Sequence, residues 1–302
     1  MKEQTITPRK RRGVSFYVAL ALVMGVTCLG AVSWYLGGTL VASANHPVGP
    51  APLSLAATNV TFPSESGAAI HGWLATGTPG RGAVLLLHGV RSDRRSMVGR
   101  AEFLHNLGYS VLLIDLQAHG ESLGQQITVG HLESRDVIAA RDFLRRTLPN
   151  ERVAAIGVSL GAASIVLANG QAAFDAVVLE SMYPTIAAAV EDRLRLRLGS
   201  AGTLLAPLLT VQLQPRLDIK LDHLRPIDHV EALGAPLLLI HGTEDQHTLL
   251  EEARAVFIRA AEPKQMWEVP GAAHVDLHRF TKEQYEQRVS KFIAMHLSAP
   301  AT

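Results

Sequence analysis

The stretch Arg152-Val-Ala-Ala-Ile-Gly157-Val-Ser159-Leu-Gly161-Ala-Ala-Ser-Ile-Val-Leu-Ala168 decides the fold. Residues 152–156 form a short apolar run, the pattern of a buried strand. Residues 159–168 continue with small and aliphatic side chains over the length of a helix. Between them the chain must turn sharply through Gly157-Val-Ser159-Leu-Gly161. Glycines on either side of the serine let strand and helix approach closely. The serine hydroxyl is thereby held at the top of the turn with a helix N-terminus beneath it. A G-x-S-x-G pattern is weak by itself, and the strand before it and the helix after it give it weight.

Working outward, the same alternation extends over most of the chain. Residues 57–62 and 68–75 have the look of short, partly exposed strands, an antiparallel start. Residues 83–87 (A-V-L-L-L) and 109–114 are continuous apolar runs, as expected for strands covered on both faces. Further strands are expected at 176–179, 236–240 and 265–269, with helices at 96–107, 131–147 and 281–297. Strands alternating with helices predict an α/β fold with a mostly parallel central sheet and helices on both faces. Residues 181–233 break this rhythm and are too long for one crossover helix. They read as an inserted helical lid over the sheet's C-terminal edge.

Composition narrows the function. Of 302 residues, 48% are hydrophobic and 18% charged, which excludes disordered and fibrous classes. The single cysteine, Cys28, rules out an intrachain disulfide framework and multi-cysteine metal sites. Residues 1–44 carry five basic side chains and one acid, leaving 23 basic and 26 acidic side chains in residues 45–302. That balance argues against a nucleic-acid partner, which needs a basic face. Dinucleotide-binding, phosphate-loop and H-E-x-x-H motifs are missing from the sequence, so no cofactor and no metal is expected.

The N-terminus reads as a membrane segment. Residues 14–36 are uncharged and would reach about 34 Å as a helix, against a hydrocarbon core of roughly 30 Å. Phe16, Tyr17, Trp34 and Tyr35 stand at its ends, where such rings favour the interface. Arg9-Lys10-Arg11-Arg12 precedes it and is expected to stay cytoplasmic. The expected organisation is a basic tail (1–12), a single-pass signal anchor in the cytoplasmic membrane (13–36) and a Gly/Ala/Ser/Pro-rich linker (37–55). An exported globular domain (56–300) follows. Ala42-Ser43-Ala44 keeps a cleaved signal peptide as the alternative.

Residues 57–297 resemble the α/β-hydrolase superfamily in four ordered landmarks. His88-Gly89-Val90 follows one buried strand, and Asp115-Leu-Gln-Ala-His119-Gly120-Glu-Ser122 follows the next. The Ser159 elbow is third. Gly242-Thr-Glu-Asp245 and Gly271-Ala-Ala-His274 each follow a late strand. The segment His88–Met97 with the Asp115 turn is similar to bacterial hydrolases of the prolyl-oligopeptidase-like and dienelactone-hydrolase-like branch. The resemblance implies a serine hydrolase acting on a small-molecule ester or related acyl bond. Ser159 would be the nucleophile, His274 the base, Asp245 the orienting acid, and the backbone N–H groups of Val90 and Leu160 the oxyanion donors. His278 and His247 are alternative bases, and Glu180 is an alternative acid. His88, His119 and Ser122 read as structural. Arg91, Arg94, Arg95 and Arg100 read as a solvated loop or as a clamp for an anionic group. A peptidase, thioesterase or acyltransferase would use the same residues, and a non-catalytic binding module is the alternative outside the enzymes.

Overall fold

The computed structural model describes residues 13–297. The basic run Arg9-Lys10-Arg11-Arg12, on which the expected orientation rests, lies outside the described residues. Eight strands form one sheet: β1 (Thr58–Pro63), β2 (Ala69–Ala75), β3 (Ala83–Leu87), β4 (Ser110–Ile114), β5 (Val153–Val158), β6 (Ala176–Glu180), β7 (Leu237–Gly242) and β8 (Lys264–Val269). Their spatial order is β8-β7-β6-β5-β3-β4-β2-β1, and β2 alone runs in the opposite direction to the other seven. This is the mostly parallel α/β sheet anticipated from the alternating pattern, in the α/β-hydrolase form that the resemblance implies.

The continuous apolar strands are buried on both faces because helices cover both. Leu85 and Leu87 of β3 pack into one core cluster with α3 (Glu133–Thr147) and α4 (Leu160–Leu167). Val84 and Leu86 point into a second cluster with α2 (Val98–Asn106) and the closing helix Lys282–Leu297. Each fully buried leucine or valine contributes about 1.5–3 kcal/mol relative to exposure, so this five-residue strand alone anchors the sheet centre. The ends of the strands align. Leu87 is in register with Gly157, Val158 with Glu180, and Gly242 with Val269. The loops after these ends share one edge, where open α/β sheets place their ligands.

The N-terminal helix α1 (Val14–Val41) has 28 residues, about 42 Å at ~1.5 Å per residue. It is long and apolar enough to cross a membrane, and only Ser33, Gly37 and Val41 are buried. It runs through residues 37–41, which the sequence assigns to a linker. The rest of that linker is not a free spacer either. Ala44–Asn45 pairs in parallel with His119–Gly120, and Val41, Val48 and Leu55 are buried in the body. Aliphatic side chains spaced along a Gly/Pro-rich stretch outweighed its loop composition.

Between β6 and β7 lies the insert. It contains α5 (Ile186–Leu198), α6 (Ala206–Thr210), α7 (Leu213–Leu217) and several single turns. Thr185 caps α5, its Oγ1 accepting from Ala188 N–H at 3.1 Å. Helices α8 (Leu250–Arg259), α9 (Leu277–Phe280) and α10 (Lys282–Leu297) complete the chain.

Candidate active site

Ser159 stands between β5 and α4 with φ +51° and ψ −106°, a conformation that L-residues rarely adopt. The surroundings hold it there. Ser159 N–H donates to Glu180 O at 2.8 Å, and Gly161 N–H to His88 O at 3.1 Å. A Cβ on Gly157 would lie 2.6 Å from Ala162 N, and one on Gly161 would lie 2.6 Å from Leu87 O. No larger residue fits at either place without moving backbone.

His274 and Asp245 lie on the loops after β8 and β7. Asp245 Oδ2 is 2.7 Å from His274 Nδ1. Its Oδ1 accepts from the N–H groups of His247 (2.8 Å) and Thr248 (3.1 Å). Burial acts to raise this carboxyl, but the His274 hydrogen bond and charge, with the Thr248 N–H, outweigh it and hold it below its usual range. Asp245 therefore stays ionised and fixes the imidazole. His274 lines the same cavity as Ser159, and among the described residues no hydrogen bond joins the two side chains. In ligand-free sites such contacts are commonly long and tighten with substrate.

Val90 follows His88-Gly89 at the end of β3, and Leu160 opens α4. A first-turn N–H has no acceptor within its own helix. Neither the Val90 nor the Leu160 N–H donates to a protein acceptor among the described residues. Val90, Leu160 and Ser159 line one cavity together. The structure thus brings Ser159, His274, Asp245, Val90 and Leu160 to one edge of the sheet.

The alternative acid Glu180 and the alternative base His278 are engaged elsewhere. Glu180 is buried and takes Arg100 in two bonds, Nε–Oε1 at 2.9 Å and Nη2–Oε2 at 2.6 Å, while Tyr285 OH donates to the same carboxylate. His278 Nε2 meets Glu286 Oε1 at 2.9 Å. His247 lies beside His274, ring centroids 5.0 Å apart, and burial followed by the charges of His274 and Arg193 lowers its pKa. His88 braces its loop: Nε2 accepts from Leu116 N–H at 3.1 Å and Nδ1 donates to Gly89 O at 2.7 Å. Burial lowers its pKa to about 3. His119 Nδ1 meets Gln117 O, and Ser122 Oγ donates to Asp115 O.

The arginines after Val90 are not a uniform solvated cluster. Arg94 and Arg100 are each 2% exposed. Arg94 pairs with Asp115 and Glu121, and Arg100 with Glu180 and Asp276. The sequence alone does not show this, because the partners of Arg100 follow it by 80 and 176 residues. Arg91 turns instead to α1, its Nη2 donating to the carbonyls of Thr39, Leu40 and Ala42.

Two cavities meet at Ser159. One, about 390 Å³, runs past His274, His247 and Met97. The other, about 280 Å³, lies beneath the insert and the end of α1, against Leu40, Val41, Tyr183 and Leu213. Val90 and Arg193 border both.

The sequence profile of the family described as "Serine aminopeptidase, S33" matches residues 78–222. An uncharacterised protein of Mycobacterium tuberculosis strain H37Rv, Rv2307c, is 31% identical over 225 residues, 73% of each chain. The chain belongs to the α/β-hydrolase superfamily. The Salmonella typhimurium protein YfhR is 26% identical over 266 residues, 84% of this chain and 87% of that one. Among solved structures, the Pyrococcus furiosus esterase Pf2001 superposes with TM-score 0.69 at 23% identity, over 85% of this hydrolase and 98% of that chain. The esterase domain of a Rhodothermus marinus protein does so with TM-score 0.56 at 21% identity, over 78% and 99%. At these identities the likeness shows the fold.

Proposed function

We propose that this hydrolase is a membrane-anchored serine esterase. Ser159 Oγ attacks the ester carbonyl while His274 Nε2 takes its proton. Asp245 keeps the Nδ1 proton in place and stabilises the imidazolium. The N–H groups of Val90 and Leu160 receive the oxyanion. His274 then protonates the leaving alcohol and activates the water that releases the acid from the acyl-enzyme. The observation that carries this reading is the Asp245–His274 hydrogen bond beside a cavity that His274 shares with Ser159 on its strained elbow.

A peptidase is the second reading, favoured by the name of the matching family profile. An aminopeptidase must hold a substrate ammonium. The cavities at Ser159 are bordered by arginines, including Arg91, Arg193 and Arg197, which repel a cation. That charge supports ester over peptide N-terminus. The names of the structural neighbours Pf2001 and the Rhodothermus domain, both esterases, point the same way.

In this reading α1 spans the cytoplasmic membrane with residues 1–12 on the cytoplasmic side and the hydrolase on the other, the insert over 181–233 serving as its lid. An exposed apolar helix of this length is costly in water, which supports the anchor. The test is hydrolysis of p-nitrophenyl esters by the full chain in detergent. Ser159→Ala is expected to lower kcat on the order of 10⁶-fold and to abolish labelling by a fluorophosphonate. Equal rates in the variant would overturn the assignment.

A further inference from the structure

The cavity beneath the insert combines two kinds of wall. Leu40 and Val41 of α1 face Leu209 and Leu213 of the insert, and this apolar lining leads to Ser159. Arg91, Arg193, Arg197 and Arg216 share the lining. Among the described residues, none of these four has a carboxylate ion-pair partner, whereas Arg195 on the same helix pairs with Glu191 and Asp192. Arg91 and Arg216 donate to backbone carbonyls near the end of α1. Arg193 donates Nη1 to Ala189 O at 2.8 Å and borders both cavities. Arg193 is half-buried and Arg197, one turn on, is exposed. A half-buried guanidinium with no carboxylate is costly until an anion arrives, and a guanidinium binds phosphate or carboxylate through two parallel bonds.

The cavity is lined where α1 meets the insert, by Gly37, Leu40 and Val41 on one side and Leu209, Leu213 and Arg216 on the other. Ser33 Oγ donates to Leu208 O at 3.1 Å, and Gln212 Nε2 donates to Ser33 O at 3.1 Å. The Arg216 guanidinium stacks 3.8 Å above the Trp34 ring. With α1 as the membrane anchor, Trp34 and Tyr35 mark the interface, so the insert sits at that level. It presents Leu204 and Val211 to the outside, 79% and 69% exposed. The end of α1 is therefore part of the substrate site as well as an anchor.

We infer that the substrate is an anionic long-chain acyl ester taken from the bilayer. Its chain lies along Leu40, Val41, Leu209 and Leu213, and its anionic group is held by Arg193 and Arg197. This rests on the serine-esterase reading and adds the substrate class. Ser159 Oγ bonds to the acyl carbon, and the acyl C–O bond breaks. The leaving alcohol takes the proton held by His274, and water then cleaves the acyl-enzyme to a free fatty acid.

The test uses the full chain in neutral phosphatidylcholine nanodiscs with three probes: palmitoyl-lysophosphatidylglycerol, palmitoyl-lysophosphatidylcholine and p-nitrophenyl butyrate. The anionic lysolipid is expected to be cleaved with a kcat/KM about tenfold or more above the zwitterionic one, as a lost charged hydrogen-bond pair would predict. An Arg193→Gln, Arg197→Gln double variant should bring that ratio close to one. Leu40→Trp should lower kcat/KM for both lysolipids much more than for the butyrate. Fluorophosphonate labelling of Ser159 checks that each variant is folded, and Leu209→Trp replaces Leu40→Trp from the opposite wall if it is not. Equal cleavage of the two lysolipids, with a ratio unmoved by the double variant, would overturn the inference. So would inhibition of butyrate hydrolysis by inorganic phosphate, relieved in the double variant, with neither lysolipid cleaved, which would assign the arginines to a small soluble anion. Butyrate hydrolysis that depends on Ser159 while both lysolipids stay intact sinks this inference alone. Loss of all three activities in the wild type sinks the esterase reading with it.

Discussion

On the floor of the site each guanidinium is matched: Arg94 meets Asp115 and Glu121, and Arg100 meets Glu180 and Asp276. In the roof Arg91, Arg193, Arg197 and Arg216 face a cavity with no carboxylate partner among the described residues. The strand leading into the site, Ala83–Leu87, buries all five of its residues, while the insert leaves Leu204 and Val211 in the open. Charges satisfied within the protein fix geometry, as the triad needs. Charges left unmatched beside apolar walls are available to something that is not protein.

The largest effect that sharpens this comparison is on the floor. Asp245→Asn is expected to lower kcat for p-nitrophenyl esters about 10⁴-fold, because the imidazole loses its orienting acceptor and its tautomer. The same carboxyl has a depressed pKa, so its stabilising contribution is full above the ordinary value of 3.8 and is lost as pH falls through the lower folded value. The stability gap between wild type and variant should therefore close in acid, read by thermal unfolding from pH 6 downward. A gap independent of pH would show that the Asp245–His274 pair carries no charge.

Glu180→Gln should act on stability and leave the identity of the triad unchanged. Removing one partner of a buried ion pair costs about 3–5 kcal/mol, and the lower end applies because Asp276 still meets Arg100. Denaturant unfolding in detergent measures it. A kcat loss as large as that of Asp245→Asn, at unchanged stability, would instead make Glu180 the acid. Next in size is Gly161→Ala. Its Cβ would lie 2.6 Å from the Leu87 carbonyl, so the elbow must shift, costing about 1–3 kcal/mol.

The strands, the elbow and the existence of an insert were legible in the sequence, and the long-range pairings were not, for physical reasons. Strands buried on both faces show as apolar runs, and the elbow shows as two glycines around Ser159, because both constraints are local. The loops carrying Asp245 and His274 follow their strands at once. Arg100, by contrast, gives no sign that Glu180 waits 80 residues away, so a buried pair looks like a basic loop. The sequence of residues 37–41 reads as linker, yet Gly37 and Val41 are buried against the insert and the body.

The smallest effect tests the joint between the two regions. Arg91 follows Val90, whose N–H is assigned to the oxyanion, and its guanidinium donates to the Thr39, Leu40 and Ala42 carbonyls at the end of α1. A cation on the terminal carbonyls of a helix contributes about 0.3–1 kcal/mol. Arg91→Gln frees the loop from the helix, and Val90 then points its N–H less consistently. If Arg91 positions that donor, the loss falls on the transition state. In that case kcat for p-nitrophenyl butyrate should drop about two- to fivefold with KM and the pH profile held. A change in KM alone would confine Arg91 to lining the cavity and leave the Val90 loop independent of α1.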